Sequence, residues 1–358
     1  MAIFALRGGC RFDEKGSLIK NDCATIELNE GNDFEMDLTD DSVILPGLVD
    51  FHAHFDVTGS GIGISEKSLI ESGVMVVGDP GTYGWKNWTP IESSQGMVRK
   101  SWISLIADGL SRHPFIPNFE PYENLIYPLR ELFNKHRTAL VGLKIRLGQH
   151  SIEEDRALLY KGMDLSRELQ VPIMIHPTKA YLPIEEVLEQ LKRGDVLTHV
   201  YHGYNGGILK DGKVVSELFD AIDRGVILDL GHGGNHFAWN VYIEALKYGI
   251  KPDMISTDLT KKTLGNSPVY NLPYVMSKLL ISGFTWTEIF NGVYKNPLDF
   301  LKASMPENSI VVLEPVHQSE KFYDAMGNYI AGNYVYKTKI VVSAGKLMSR
   351  KDSFKKVP

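Results

Sequence analysis

What most constrains this chain is a rhythm of short apolar stretches separated by longer spacers. The stretches fall at residues 43–51, 74–78, 101–107, 139–147, 172–176, 196–201, 226–230 and 254–258. In the spacers, 152–169 and 182–193 among them, apolar residues recur three and four positions apart, the period of a helix with one buried face. An apolar stretch without polar alternation reads as a strand buried on both sides, and a parallel sheet covered by helices supplies that burial. Eight strand–helix repeats predict an α/β fold closed into a (β/α)8 barrel of the TIM type rather than an open sheet. The chain has 358 residues, enough for one such barrel with additions, and its 43% hydrophobic content supports a core without disulfides.

The two ends break the rhythm. Residues before Ile44 are rich in Gly, Asn, Asp and Glu, with short β-like pieces at 2–6 and 24–28. After Leu301, strand-like pieces at 310–313, 329–336 and 338–342 surround a turn at Met326-Gly327-Asn328. The ends are expected to meet in a small β-structured appendage, residues 1–43 with 303–358, beside a barrel spanning 44–302. Cys10 and Cys23 make no disulfide framework and read as structural thiols. A formal charge of −6 without a basic stripe argues against nucleic acid, and the lysine-rich tail from Lys346 to Lys356 reads as a solvated end. No secretory signal or membrane span is legible. The expectation is a cytoplasmic protein that acts on a small molecule, engages neither nucleic acid nor membrane, and is free to form a homo-oligomer.

In such a barrel, reactive side chains sit where strands end at the C-terminal face. His52 and His54 close the first apolar stretch, and residues i and i+2 of a strand point to the same side. His176 closes Val171-Pro172-Ile173-Met174-Ile175, His199 follows Asp195-Val196-Leu197-Thr198, and Asp258 follows Met254-Ile255-Ser256-Thr257. Taken singly, each has a plainer role: a hydrogen-bonded core histidine, or an aspartate capping the next helix. Taken together they do not, because two histidines on one face of an apolar strand are expensive to bury without a partner. Imidazole and carboxylate donors suit a divalent ion such as Zn²⁺. Lys144 stands inside Leu140-Val141-Gly142-Leu143-Lys144-Ile145-Arg146-Leu147, where an inward ammonium is strongly disfavoured. By its chemistry alone it either points outward between helices, pairs with an acid, or belongs to the cluster.

The stretch Pro46-Gly47-Leu48-Val49-Asp50-Phe51-His52-Ala53-His54 resembles the opening signature of the amidohydrolase superfamily. Gly194-Asp195-Val196-Leu197-Thr198-His199 with Tyr204-Asn205-Gly206, Gly231-His232-Gly233, and Ile255-Ser256-Thr257-Asp258 are similar to its deacetylase-type branch, relatives of dihydroorotase and D-aminoacylase. The resemblance covers the barrel nearly completely, in the family's order. It implies that Lys144 is carboxylated by CO2 and bridges two divalent metals, usually zinc. It also implies that His52, His54 and Asp258 hold one ion and His176 and His199 the other. Two departures stand out: the glycine-lysine-isoleucine turn before the barrel is missing, and His202 occupies a place where this branch carries a side-chain amide.

The chemistry expected of such a centre is hydrolysis of an N-acyl or cyclic amide, or of an acyl ester, in a small carboxylate-bearing substrate. A metal-bound hydroxide would attack the carbonyl, with Asp258 as general base and then acid. Arg146 and Lys179 are candidates for the substrate carboxylate. His202 is a candidate for substrate contact or for supporting a ligand, and His232 for donating to a substrate oxygen. A nucleobase-type deaminase and a non-catalytic metal-binding protein on the same fold are the alternatives; metal stoichiometry separates them.

Overall fold

The structure, a computed structural model, describes residues 2–12, 16–20, 23–30, 33–55, 59–90, 96–110, 120–148 and 151–351. Seven parallel strands form its central sheet: β1 (Leu48–Asp50), β2 (Val74–Asp79), β3 (Val98–Ser104), β4 (Leu140–Arg146), β5 (Ile173–His176), β6 (Val196–Leu197) and β7 (Ile227–Leu228). Each pairs with its neighbour in chain order, from β1 to β7. The eighth apolar stretch closes the ring through isolated parallel bridges, Asp229 with Met254 on one side and Ala53 with Leu259 on the other. Hydrogen bonds from Leu230 N to Met254 O (2.9 Å) and from His54 N to Leu259 O (2.9 Å) make both seams. The expected barrel is therefore present, with residues 254–259 as its last stave.

Burial explains why these residues form strands. Every residue of β2 is buried, and so are Leu143 and Ile145 of β4 and Ile173, Met174 and Ile175 of β5. The helices present one apolar face to the sheet. Ile152–Leu169 starts where the Ser151 side chain accepts from Glu154 N, carries Glu153, Glu154 and Asp155 in its first turn, and ends at a left-handed Gln170. It buries Leu158, Leu159, Met163 and Leu165.

Some expected boundaries move, for identifiable reasons. The stretch 43–51 is two strands, because Pro46 and Gly47 break it. Val43–Leu45 joins the appendage, while β1 enters the barrel. Gly47 has φ 142°, and a Cβ there would lie 2.5 Å from Met305 Sδ, so only glycine fits this crossing point. The stretch 101–107 pairs three residues earlier, as Val98–Ser104. The stretches 196–201 and 254–258 stop short because His199 (φ 58°) and Asp258 (φ 49°) leave the extended region.

The appendage contains strands from both ends of the chain. A six-stranded sheet runs in the order Lys346–Arg350, Tyr329–Ser343, Ile310–Tyr323, Val43–Leu45, Cys10–Phe12, Leu18–Lys20. A three-stranded sheet, Cys23–Leu28, Ala2–Arg7 and Phe34–Asp37, packs near it, and Phe4, Leu6, Ile26, Leu28, Ile44, Val312, Ile340 and Val342 share one apolar cluster. The C-terminal strand pieces merge into a long hairpin, Ile310–Tyr323 with Tyr329–Ser343, whose far end reaches the barrel where Phe322 is buried. Neither Cys10 nor Cys23 is in a disulfide. The start of the lysine-rich tail is strand Lys346–Arg350, and residues 352–358 lie outside the described residues. Among the described residues no helix is long and apolar enough to cross a membrane.

Candidate metal centre

At the C-terminal mouth of the barrel, His52, His54, Lys144, His176, His199 and Asp258 line one cavity of about 270 Å³. They arrive from the segment after β1, from β4 and β5, the end of β6 and the closing segment, so residues as far apart in sequence as His52 and Asp258 share a few ångströms. His52 Nε2 and His54 Nε2 each lie 3.3 Å from Asp258 Oδ1. The rings of His52 and His199 are 4.9 Å apart, and those of His176 and His199 are 4.5 Å apart. Holding His199 and Asp258 in the left-handed region opposes ordinary backbone preference, a strain typical of sites whose surroundings over-determine them.

The outer nitrogens of His52, His54 and His199 are tied down. His52 Nδ1 lies 2.9 Å from Asp229 Oδ2, and that buried carboxylate also accepts from Thr198 Oγ1 (2.6 Å) and Ser256 Oγ (2.5 Å). His54 Nδ1 meets Thr82 Oγ1 at 2.8 Å. His199 Nδ1 donates to Gly231 O at 2.6 Å. A ring whose Nδ1 proton is committed outward keeps its Nε2 lone pair for the cavity. Behind this layer, Asp79 accepts from the N–H groups of Phe55, Gly81 and Thr82, which shapes the loop carrying Thr82. Asp50 accepts from Thr257 N and Oγ1; burial outweighs these bonds and pushes its carboxyl up to about 7.

The same burial prepares the inner donors. Desolvation, then neighbouring positive charge, holds His176 and His199 well below the usual imidazole range, so both are neutral with a lone pair to give. Burial alone would raise the Asp258 carboxyl, but the His52 and His54 imidazoles beside it hold it well below the usual carboxylate range. Desolvation pulls the Lys144 ammonium down to about 7, against the opposing pull of Asp258 and Asp229. Among the lysine and histidine nitrogens here, Lys144 Nζ and His176 Nε2 are buried with no hydrogen-bond partner. Unpartnered buried donors are costly, and their convergence with imidazoles and a carboxylate fits divalent cations. Donor atoms of His52, His199 and Asp258 lie within 4.8 Å of one another, and so do those of His176, His199 and His236. The resemblance assigned His199 to one ion alone; here it stands in both groups.

The other four candidates separate. Arg146 lines the cavity, with burial lowering its guanidinium from the ordinary value. Lys179 does not line it: the residue is exposed, has φ 65°, and lays its ammonium over the Tyr204 ring at 4.6 Å. His202 is buried outside the cavity, where its Nδ1 accepts from Tyr204 N. His232 is also turned away, because its Nε2 accepts from buried Lys278 Nζ at 2.6 Å and its ring stacks on Phe237. Of the four, the cavity thus brings in Arg146 and not Lys179, His202 or His232. The histidine of that loop that does face the cavity is His236, four residues on. The glycines of Gly231-His232-Gly233-Gly234 signal a backbone in close approach, but nothing periodic tells which imidazole turns inward.

A closed β/α barrel with a histidine- and carboxylate-lined pocket at its C-terminal mouth defines the class of a barrel metalloprotein. No family model matches the chain. Among curated proteins it is 31% identical over 282 residues to a deacetylase of Brucella anthropi and, at the same identity and length, to one of Agrobacterium fabrum; each match covers 75% of this chain and 68% of the relative. A deacetylase of Enterococcus faecalis is 29% identical over 265 residues, 71% of this chain and 70% of the relative. A dihydroorotase crystal structure superposes with a TM-score of 0.83 at 25% identity over 100% of both chains. An adenine deaminase structure, at 21% identity and a TM-score of 0.79 over 96% of this chain and 98% of its own, shares the fold. The chain belongs to the amidohydrolase superfamily, in the family of these deacetylases. It is a metal-dependent hydrolase.

Proposed function

We propose that the chain hydrolyses an acyl amide or acyl ester of a small carboxylate-bearing molecule, using two divalent ions, zinc by donor chemistry, bridged by a carboxylated Lys144. The observation that carries this reading is the Lys144 amine, buried among the imidazoles without a hydrogen-bond partner. An amine pulled down to about 7 is substantially neutral at physiological pH and can add CO2, its nitrogen bonding to carbon as a proton leaves. The resulting carboxylate would turn an unsatisfied donor into an anion facing His52, His54, His176, His199 and Asp258. Divalent ions held there supply Lewis acidity and lower the pKa of water.

The chain's own residues do the rest. Asp258 takes the proton of the attacking water on its carboxylate and returns it to the leaving nitrogen or oxygen. Arg146, at the cavity wall, receives the substrate carboxylate. Ile62, Pro80, Ile106 and Leu110 form an apolar side that suits a short acyl group. The relatives' name, deacetylase, favours an acyl bond, and the dihydroorotase neighbour keeps cyclic amides among the compounds to try.

The test combines metal analysis with a screen of N-acetyl amino acids, acetylated hydroxy acids and cyclic ureides on zinc-loaded protein. We expect about two ions per chain, turnover of an acetylated acid, and loss of both the second ion and turnover in Lys144→Met. Reloading the chelated chain with zinc should restore more activity with bicarbonate than without. A chain that holds no ions, or a Lys144→Met variant equal to the parent in both measurements, sinks the reading.

A further inference from the structure

We infer that His236 is a further metal ligand, completing with His176 and His199 a three-imidazole site for one of the two ions. The inference rests on the metallohydrolase reading above and deepens it. Its first support is position: donor atoms of these three histidines lie mutually within 4.8 Å, and their rings are 4.0 to 4.9 Å apart. The second is wiring. His236 Nδ1 is held by Thr178 Oγ1 at 3.0 Å, which leaves Nε2 aimed inward, 3.5 Å from Asp258 Oδ2. His52, His54 and His199 are arranged in the same way, an outer nitrogen fixed and the inner one presented to the cavity. The third is an unsatisfied neighbour: His176 Nε2 is buried with no hydrogen-bond partner.

The backbone is shaped to bring His236 this close. Gly233 has φ 50°, and a Cβ there would lie 2.4 Å from His236 Cδ2 and 2.5 Å from Asp258 Oδ2. A side chain at that position would occupy the space between ring and carboxylate. Downstream, Phe237 and Ala238 are fully buried, with Ala238 N donating to Tyr201 O and Phe237 O accepting from Ala325 N. The ring is therefore fixed from both sides of the loop and from Thr178. A role in substrate contact alone needs the ring to face the cavity, but it explains neither the convergence with His176 and His199 nor the glycine between His236 and Asp258.

The test titrates chelated wild type, His236→Asn and Thr178→Val with Zn²⁺ and Co²⁺, following bound metal and the Co²⁺ visible spectrum. Asn keeps a polar side chain of similar reach, and thermal unfolding of the chelated variants checks that they fold. For His236→Asn we expect one ion of the pair to bind about 100-fold more weakly, with a changed Co²⁺ spectrum, and Thr178→Val to fall between it and wild type. X-ray absorption should count fewer imidazoles per zinc in the His236→Asn protein. If that variant binds both ions as tightly as wild type, with the same spectrum and only a raised KM, His236 is a substrate contact and the inference is overturned while the metallohydrolase reading survives. If wild type itself binds no metal, both fall. Should His236→Asn fail to fold, Thr178→Val decides: unchanged affinity and spectrum there overturn the inference.

Discussion

Asp258 shows how much one residue is asked to do. Its backbone is left-handed, its N–H donates to His52 O at 2.6 Å across the barrel seam, and its two oxygens face three histidines. Oδ1 lies near His52 and His54, while Oδ2 is turned toward His236. A carboxylate placed this way can hold a cation through one oxygen and carry a proton on the other. Asp258→Asn preserves shape and one acceptor oxygen but removes the base. Turnover should drop by about 10²–10⁴-fold, the usual worth of a positioned acid–base group, while metal content falls much less. Parallel kcat and metal measurements decide it: near-full turnover, or metal lost in proportion to turnover, removes the proton-transfer role. Asp258 was findable in the sequence because it ends an apolar run. Asp229, Thr82 and Thr178, which orient the rings, were not, since single polar residues in strands and loops resemble ordinary surface or turn chemistry until the fold brings a ring against them.

Among the elements, helix Leu272–Ile281 joins barrel, appendage and site. Its Lys278 is fully buried, with desolvation holding the amine well below its ordinary range. Nζ donates to His232 Nε2 (2.6 Å), to Tyr323 O on the long hairpin (2.6 Å) and to Pro268 O (3.3 Å). Three acceptors converge on this one nitrogen, so the group is partnered despite its burial. It ties the hairpin to the loop whose Gly231 carbonyl holds His199. Lys278→Met keeps the bulk but strands those acceptors, and stability should fall by roughly 3 kcal/mol. Urea unfolding measures it, and a midpoint unmoved from the parent would show the brace to be idle. Nothing next to this lysine in the sequence marks it as buried, because most of what covers it, Phe237, Trp239 and Tyr323 among them, lies roughly forty residues away along the chain. The barrel strands were legible for the opposite reason: burial on both faces leaves a local trace, an unbroken apolar run. The division of 43–51 was written in Pro46-Gly47, but which half goes to which sheet depends on partners more than two hundred residues away, such as Val311 opposite Leu45.

At the scale of the whole molecule, building so much of the mouth from buried neutral histidines exposes the fold to acid. Burial holds His202 at about 4, and His176, His199 and His232 well below the ordinary 6.5. In the unfolded chain these rings take up protons as pH drops through about 6.5. The folded chain cannot follow until its own lower pKa is reached, so the unfolded state binds more protons and stability declines with falling pH. Each such ring contributes a slope of up to about 1.4 kcal/mol per pH unit, for His202 across the window from 6.5 to about 4. Other groups oppose or join this trend. Asp50, raised to about 7, Asp195 and Asp253, both raised by burial, and His52, whose burial is outweighed by the Asp229 and Asp258 carboxylates, favour the fold as pH falls. Asp258, held low by its imidazole neighbours, acts with the neutral rings. The burial penalty of Lys144, whose amine sits near 7, is already complete below that pH and adds no slope there. Bound ions steepen the dependence, because they need the same imidazoles unprotonated. The urea midpoint of the metal-loaded chain should therefore fall continuously from pH 7 to 4.5, and more gently after chelation. Replacing His202, which lies outside the ligand cluster, by Gln should flatten the slope in both forms without altering metal content. A midpoint indifferent to pH in this window, or a His202→Gln chain as acid-sensitive as its parent, would show that the buried rings are not what makes the barrel mouth acid-labile.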